Sequence, residues 1–250
     1  MVWEPETPIA ADLTPRPIGS NLEGRNALMT RFLRFLPGLI LTFAALAAAQ
    51  TGVIVVEDWT KHPVGAKGIP DGWKGQNWGS PAYDMTVVEG SPKVLHLKSR
   101  NEGSTIVKEV KVNVKETPVL EWQWKAVVLP VGGDSRKKTT DDQAAQLYVT
   151  FPRFPSAVRS RIIGYVWDTT APEGTIVESE KTSLITYVVV RSGAKDLNRW
   201  ITETRNVYED YKRIYDEEPG ELSAVSIAID SNDTKSSAES YIGKILFRKP

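Results

Sequence analysis

Alternation of apolar and polar residues dominates the chain after Thr51 and predicts β-strands. In segment 120–128, apolar residues at the even positions alternate with glutamate, glutamine and lysine at 121, 123 and 125. The other predicted strands are 94–98, 110–114, 145–151, 161–168, 184–191, 223–229 and 241–247. Many short strands separated by turn-rich connections are typical of all-β proteins. The pattern therefore predicts an antiparallel β-sandwich or jelly roll.

One short helix is predicted near 207–216. Asn206 followed by Glu209 resembles a capping box, and the apolar residues at 207, 211, 214 and 215 fall on one helical face. The Pro219-Gly220 pair is expected to end this element.

A second, different pattern lies near the N-terminus, at residues 29–49. Arg31 and Arg34 precede an apolar run, 35–49, that ends in small side chains with an A-x-A site at 47–49 or one alanine pair earlier. This arrangement predicts a signal peptide whose helix is removed on export. A retained anchor is the alternative, although the run is shorter than the roughly 20 residues that span a bilayer.

The segment before the signal peptide, residues 1–28, contains four prolines and no periodic pattern. We expect it to be a disordered leader. It reflects either a start codon assigned too far upstream or the cytoplasmic tail of an anchored protein. Residues 50–250 are then expected to form a single β-sandwich domain, exported to the periplasm or the cell exterior.

Charge and composition exclude several classes of function. The chain carries 31 basic and 31 acidic residues, and removal of residues 1–49 takes away four of each. A neutral domain argues against a nucleic-acid partner, and against a membrane partner except through the signal peptide or a retained anchor. The chain has no cysteine, which excludes thiolate chemistry. It has only two histidines, His62 and His96, so a Ser-His-Asp triad or a zinc site with several imidazoles is not expected.

Aromatic residues are the first candidates for ligand binding. Trp73 and Trp78 lie in the loop GWKGQNWGSP, where no periodicity predicts burial, so stacking on a sugar ring and anchoring of the loop are equally supported. Tyr148 alternates with Leu147 and is expected on the polar face of its strand. Trp122 and Trp124 share a face with apolar residues and are expected in the core.

Polar clusters at strand ends supply further candidates. Asp141 and Asp142 precede a strand and could contact a sugar hydroxyl or form a solvated turn. Arg205, Asn206 and Asp210 flank the start of the predicted helix and could bind ligand or form a fixed ion pair.

No cofactor is expected from the sequence. The one turn with several oxygen ligands for Ca²⁺ contains Asp230, Asn232 and Asp233. It lacks the glycine and distal glutamate of an EF-hand loop, and an Asx-type turn explains it equally well.

An ordered series of motifs resembles a known family. The segments LEWQWKAVVLP, DDQAAQLYVTF, GYVWD, VVVRSG, RNVYEDYKRIYDEEP, AIDSNDT and YIGKILF are similar to those of the bacterial exported proteins grouped as domain of unknown function family 3047. The family usually has an arginine where this chain has Gln146 and a glycine where it has Asp168. The resemblance implies a compact, exported β-sandwich without an established activity, and the fold is more loosely similar to carbohydrate-binding jelly rolls.

Three hypotheses for function follow. The first is a non-catalytic module that binds a saccharide-like or cell-envelope ligand through Trp73, Trp78, Tyr148 and the polar clusters. The second is an assembly module that contacts an envelope protein. The third is a carboxylate-based glycoside hydrolase or lyase using Asp141, Asp142, Glu203 or Asp210, which requires two of these carboxyl groups to share a cleft.

Overall fold

The computed structural model describes residues 52–77 and 80–250. The predicted leader at 1–28, the predicted signal peptide at 29–49 and the candidate residue Trp78 lie outside these ranges. Within them, no helix has the length and apolar character needed to cross a membrane.

The described residues form thirteen strands. In chain order these are β1 (Val53–Glu57), β2 (Lys74–Gln76), β3 (Asp84–Val88), β4 (Val94–Arg100), β5 (Gly103–Val112), β6 (Val119–Val128), β7 (Ala145–Phe151), β8 (Arg161–Asp168), β9 (Ile176–Glu178), β10 (Ile185–Ser192), β11 (Ile201–Asn206), β12 (Leu222–Asp230) and β13 (Ser237–Arg248). Two helices, α1 (Ser156–Arg159) and α2 (Val207–Tyr215), and a 3₁₀ turn (Lys138–Thr140) complete the elements.

The strands form two sheets. The six-stranded sheet has the order β11-β6-β13-β4-β3, with β1 also paired to β13, and the seven-stranded sheet has the order β2-β5-β12-β7-β8-β10-β9. All strand pairs are antiparallel except β8 and β10, which are parallel. The predicted all-β sandwich is confirmed, and each of the eight predicted strand segments overlaps an observed strand.

Aromatic side chains join the two sheets in the core. Trp122 and Trp124 of β6 are fully buried, as the alternation predicted. The ring of Trp122 lies 5.4 Å from that of Tyr165 on β8, and the ring of Trp124 lies 5.9 Å from that of Trp167. Each such aromatic pair contributes about 0.5–1.5 kcal/mol beyond the burial of its apolar area. These contacts fix which face of β8 points inward.

A buried carboxylate connects the sheets at a second place. Glu57 at the end of β1 accepts hydrogen bonds from Lys108 Nζ on β5 (2.7 Å) and from Trp73 Nε1 (3.0 Å). The Trp73 ring stacks on Trp59 with a centroid distance of 5.9 Å, and both rings are buried. Burial raises the pKa of Glu57, but hydrogen bonds from Lys108, Trp73 and the Trp59 backbone outweigh it and lower the pKa to about 2.

Helix α2 begins where the sequence predicted. The Asn206 side chain accepts a hydrogen bond from the Glu209 backbone N–H (3.1 Å), which makes Asn206 the N-cap. The helix ends at Tyr215, before Pro219, because Asp216 adopts a left-handed backbone (φ 51°) and its N–H donates to the Lys212 carbonyl (2.9 Å). The helix therefore has local start and stop signals of its own.

Replacing the cap residue tests this account of Asn206. Asn206→Ala removes the acceptor for the Glu209 N–H and should lower the free energy of unfolding by about 1 kcal/mol. Urea unfolding measures the change. Asn206→Ser keeps a capping oxygen and should retain most of the stability. Full stability in Asn206→Ala would contradict the capping role.

The hydrogen bonds that Glu57 accepts predict a specific loss of stability in acid. A carboxylate with a folded pKa of about 2 and an ordinary value of 4.5 stabilises the fold above pH 4.5, and this contribution disappears as the pH falls to about 2. Glu57→Gln should remove up to about 3 kcal/mol at pH 7 and flatten the stability profile in that range.

Denaturant unfolding between pH 2 and 7 measures this effect. The matched control is Glu109→Gln, since Glu109 pairs with Lys74 on the exposed surface and should contribute little. Parallel acid profiles for Glu57→Gln and the wild type would show that Glu57 does not supply the pH dependence.

Candidate functional site

A cavity of about 350 Å³ opens on the outer face of the seven-stranded sheet. On β7, Leu147 and Val149 point into the core, while Gln146, Tyr148 and Thr150 line the cavity. This is the consequence of strand alternation, which places successive side chains on opposite faces. The remaining lining residues are Gln76, Gly103, Ser104, Thr105, Asp141, Ile162, Ser179, Lys181, Thr182, Ile185, Tyr187, Ser226, Ile229, Asp230, Asn232 and Asp233.

Two tyrosine rings form the apolar part of the cavity. Tyr148 on β7 and Tyr187 on β10 both pair in register with Gly164 on β8, the strand between them. Their ring centroids are 6.5 Å apart. A Cβ atom at Gly164 would lie 2.7 Å from Tyr148 Cε1 and 3.1 Å from Tyr187 Cδ1. Glycine is therefore required here so that both rings can lie over β8.

A chain of hydrogen bonds runs along one wall of the cavity. The Tyr148 hydroxyl donates a short hydrogen bond to Gln146 Oε1, and Gln146 Nε2 donates to Asp230 Oδ1 (2.7 Å). The backbone N–H of Gln143 donates to the same Asp230 oxygen (2.7 Å). These contacts orient the Gln146 amide and leave the wall with both donor and acceptor groups.

A second polar group centres on Asp141. Its carboxylate accepts hydrogen bonds from Gln143 Nε2 (2.9 Å) and from the Tyr187 hydroxyl (3.1 Å). Lys181 Nζ lies 3.9 Å from Asp141 Oδ2 and also pairs with Asp233. The Asp141 carboxylate and the Tyr187 hydroxyl therefore form a polar edge beside the apolar surface of the two tyrosine rings.

Carboxyl groups outnumber basic groups among the described residues that line the cavity. Asp141, Asp230 and Asp233 line it with Lys181 as the single cation. Burial raises the pKa of Asp141. Burial, together with the nearby carboxylates of Asp142 and Asp141, raises the pKa of Asp230 well above its usual value. Burial likewise raises the pKa values of both cavity tyrosines, so their hydroxyl groups stay protonated near neutral pH and donate to Gln146 and Asp141.

Asp142, predicted beside Asp141 as a ligand residue, has a different position. It is fully buried, and its carboxylate accepts hydrogen bonds from the backbone N–H groups of Asp233 (3.2 Å) and Thr234 (2.6 Å). Asp142 therefore shapes the turn that follows β12 and does not line the cavity. The chain turns between the two aspartates: Asp141 ends the 3₁₀ turn (φ −77°, ψ 66°), and the backbone N–H of Asp142 donates to the Thr140 carbonyl (2.9 Å).

The predicted convergence of Arg205 and Asp210 with this site does not occur. Arg205 Nε donates to Asp210 Oδ2 (2.9 Å), which also accepts from the Tyr165 hydroxyl (2.9 Å). Tyr165 lies on the core face of β8, opposite the face that carries Tyr148 and Tyr187. The sequence-based expectation of one pocket is therefore corrected, because the seven-stranded sheet separates the two groups.

Asn206 and Trp73 also lie outside the cavity lining. Asn206 caps α2, and Trp73 is buried against Trp59 with its indole N–H bound to Glu57. Anchoring of the loop, one of the two alternatives for Trp73, is the role that its contacts support. Of the predicted ligand residues within the described ranges, Tyr148 and Asp141 line the cavity.

The carboxylates considered for catalysis are not assembled as a pair. Of that set, Asp141 lines the cavity, whereas Glu203 accepts hydrogen bonds from Arg191 Nε (2.6 Å) and Trp124 Nε1 (3.2 Å). Asp142 and Asp210 are held in the contacts described above. The carboxylates that do share the cavity with Asp141 are Asp230 and Asp233.

The described ranges contain no group of three or more His, Cys, Asp or Glu side chains arranged to hold a metal ion. In the turn considered for Ca²⁺, Asp230 accepts hydrogen bonds from Gln143 and Gln146, and Asp233 pairs with Lys181. Asn232 Nδ2 donates to Asp233 Oδ1 (3.3 Å). The Lys181 ammonium thus supplies the positive charge beside these oxygens.

Several cavity residues were missed from the sequence. Tyr187 lies in the run ITYVVV, where nearly continuous apolar character hides the alternation. Gln146 and Ser226 are buried polar residues flanked by apolar residues in their strands, and that interruption is a signal for them. For Asp230 and Asp233 the sequence indicates oxygen ligands in a turn and does not indicate a shared cavity with Tyr148.

Comparison with solved structures finds similar folds at low sequence identity. The family 11 carbohydrate-binding module of a cellulosomal cellulase of Clostridium thermocellum is 9% identical, with a TM-score of 0.41 and coverage of 80% of this chain and 96% of that chain. The family 11 xylanase from Neocallimastix patriciarum is 10% identical, with a TM-score of 0.38 and coverage of 79% and 100%. Endoglucanase 3 from family GH12 of Trichoderma harzianum is 9% identical, with a TM-score of 0.39 and coverage of 81% and 99%. These values are too low to transfer a function.

Sequence comparison gives a more direct result. No curated protein matches the chain significantly. The model of the family described as "Protein of unknown function (DUF3047)" matches residues 71–246, which include every strand from β2 to β12 and most of β13. The chain therefore belongs to the DUF3047 family.

Proposed function

We propose that this protein is an exported, non-catalytic β-sandwich that binds a saccharide-like or cell-envelope ligand in the cavity over Gly164. The observation that carries the proposal is the combination of two tyrosine rings with a wall of amide, hydroxyl and carboxylate groups in one concave site. Ligand sites characteristically combine such apolar surface with a few oriented polar groups.

The chemistry of the cavity suits a ligand rich in hydroxyl groups. A hydroxyl both donates and accepts a hydrogen bond, and the wall presents acceptors on Asp141 and Asp230 beside the donor Lys181. Tyr148 and Tyr187 are 8% and 5% exposed, and with Ile162 and Ile185 they supply the apolar lining of the cavity for a sugar ring. A volume of about 350 Å³ falls within the usual range for small-molecule sites.

One specific observation favours hydrolysis as a second candidate function. Asp141 and Asp230 share the cavity, and the pKa of each is raised by burial. A carboxyl group with a raised pKa is the feature that a general acid needs in glycoside hydrolysis. The hydrogen bonds that both carboxylates already accept favour a binding role instead.

Substitution of Gly164 tests the proposed site. Gly164→Ala should displace the Tyr148 and Tyr187 rings and weaken binding of neutral oligosaccharides about tenfold or more, equivalent to at least about 1.4 kcal/mol. A glycan array of cell-wall and exopolysaccharide fragments selects the probe, and isothermal titration calorimetry measures its affinity. Gly220→Ala is the matched control, since its Cβ would meet no atom within 4 Å.

Two results would contradict the binding proposal. One is the absence of wild-type binding to every fragment at millimolar concentration. The other is equal affinity in Gly164→Ala and the wild type, with thermal unfolding showing both to be folded. Release of reducing sugar from a bound oligosaccharide, abolished by Asp141→Asn, would favour the hydrolase instead.

Export is tested independently of the ligand. Expression of the full chain in a Gram-negative host should place the protein in the periplasmic fraction or the medium. Mass spectrometry should then find a new N-terminus after residue 49 or one alanine pair earlier. Replacing Arg31 and Arg34 by glutamate should reduce export. An intact chain retained in the membrane fraction would identify 29–49 as an anchor.

A further inference from the structure

A row of side chains crosses the outer face of the six-stranded sheet, at strand positions that alternate with those of the core. Tyr241 on β13 pairs in register with Lys125 on β6 and with His96 on β4. Trp200 immediately precedes Ile201, which pairs with Trp124 next to Lys125. Trp200, Lys125, Tyr241 and His96 are called the aromatic row below.

The members of the aromatic row are in close contact. The His96 and Tyr241 rings stack with a centroid distance of 4.1 Å and an interplanar angle of 1°. Lys125 Nζ lies 4.1 Å from the centre of the Tyr241 ring and 5.3 Å from that of Trp200. His96 Nε2 also lies 2.7 Å from Glu239 Oε1, which fixes the ring orientation. The row is therefore built from mutually positioned side chains.

The row borders a hollow of about 550 Å³. The loop Glu89–Pro92 forms another side, and the Gln123 amide also lines it. Lys125 is the one cationic side chain and Glu89 the one carboxylate among the lining residues in the described part of the chain. The hollow thus places an indole, an amide and an ammonium group around one space.

Trp200 differs from the other tryptophans that the structure describes. Its exposed fraction is 46%, whereas the other described indoles are at most 6% exposed. An indole carries a large apolar surface, and leaving it in water forgoes the free energy of burying it. An exposed aromatic ring beside a hollow is therefore a candidate stacking surface.

Lys125 is the cationic member of the row. Within residues 52–77 and 80–250 its ammonium forms no ion pair, in contrast to Lys108 and Lys181, which both pair with carboxylates. Contact with the two rings stabilises the charge only in part. Its ammonium can therefore accept an anionic partner without breaking an existing ion pair.

We propose that the aromatic row is a second binding site, which takes an acidic saccharide by stacking a sugar ring on Trp200 and pairing a sugar carboxylate with Lys125. This site differs in charge from the cavity over Gly164, where three carboxylates face one lysine. The one ammonium there, that of Lys181, already pairs with Asp233, and the Gly164→Ala variant below shows whether the cavity contributes to binding of an acidic probe. The proposal does not depend on a ligand in the cavity.

Trigalacturonate is the test probe and its fully methyl-esterified form the neutral control. Calorimetry should show that the wild type binds trigalacturonate more tightly than the ester. Trp200→Ala should weaken binding about tenfold or more, and Trp200→Phe should retain part of it. Lys125→Gln should reduce affinity for the acid and not for the ester, while Glu89→Gln should raise affinity for the acid.

Control variants separate this site from other causes. Phe154→Ala removes an aromatic ring that is 90% exposed outside both sites and should leave binding unchanged. Gly164→Ala should also leave trigalacturonate binding unchanged. Each variant is checked by thermal unfolding. No wild-type binding at millimolar concentration, or wild-type affinity in both Trp200→Ala and Lys125→Gln, would overturn the proposal.

Discussion

Aromatic packing between β6 and β8 is the constraint on which the rest of this molecule depends. Trp122 and Trp124 meet Tyr165 and Trp167 between the sheets, which commits one face of β8 to the core. The opposite face of β8 then carries Gly164 at the level of Tyr165. Because glycine leaves space there, tyrosines from both neighbouring strands lie over it and form the cavity. The core contact and the candidate site are thus opposite faces of the same strand.

The carboxylates of this protein divide into two groups by what they contact. Glu57, Asp142 and Asp210 are buried and accept hydrogen bonds or ion pairs that connect segments distant in the chain. Asp141 and Asp230 face the cavity. Buried charges that keep their partners tolerate little rearrangement, because breaking one contact leaves a charge uncompensated. The first group therefore holds the turns and strand ends in place. Asp141 and Asp230 also accept hydrogen bonds within the protein, and they differ in lining the cavity.

The two sheets also present different chemistry on their outer faces. The seven-stranded sheet has a concave site with excess carboxylate, and the six-stranded sheet has an exposed indole with an unpaired lysine. A chain of zero formal charge can thus carry two local regions that differ in their balance of carboxyl and ammonium groups. Net charge, which bounds the classes of partner for the whole molecule, does not describe either surface.

The sequence by itself determined the strands whose two faces differ in polarity and the helix with local capping signals. It identified β6, β7 and the Asn206 cap, and it placed Trp122 and Trp124 in the core. It missed β11, a polar edge strand whose inward positions hold Glu203 and Arg205 in ion pairs. Alternation is a local property, and it detects such strands poorly.

Only the tertiary structure decided which side chains meet. The parallel pairing of β8 with β10 places Tyr187 beside Tyr148. The packing of Trp73 on Trp59 buries a residue for which the sequence supported ligand stacking and loop anchoring equally. Backbone N–H groups of the turn after β12 donate to the Asp142 carboxylate, whereas Asp141 lines the cavity. Strand order and sheet face depend on contacts between residues far apart in the chain, and no local pattern of residues specifies them.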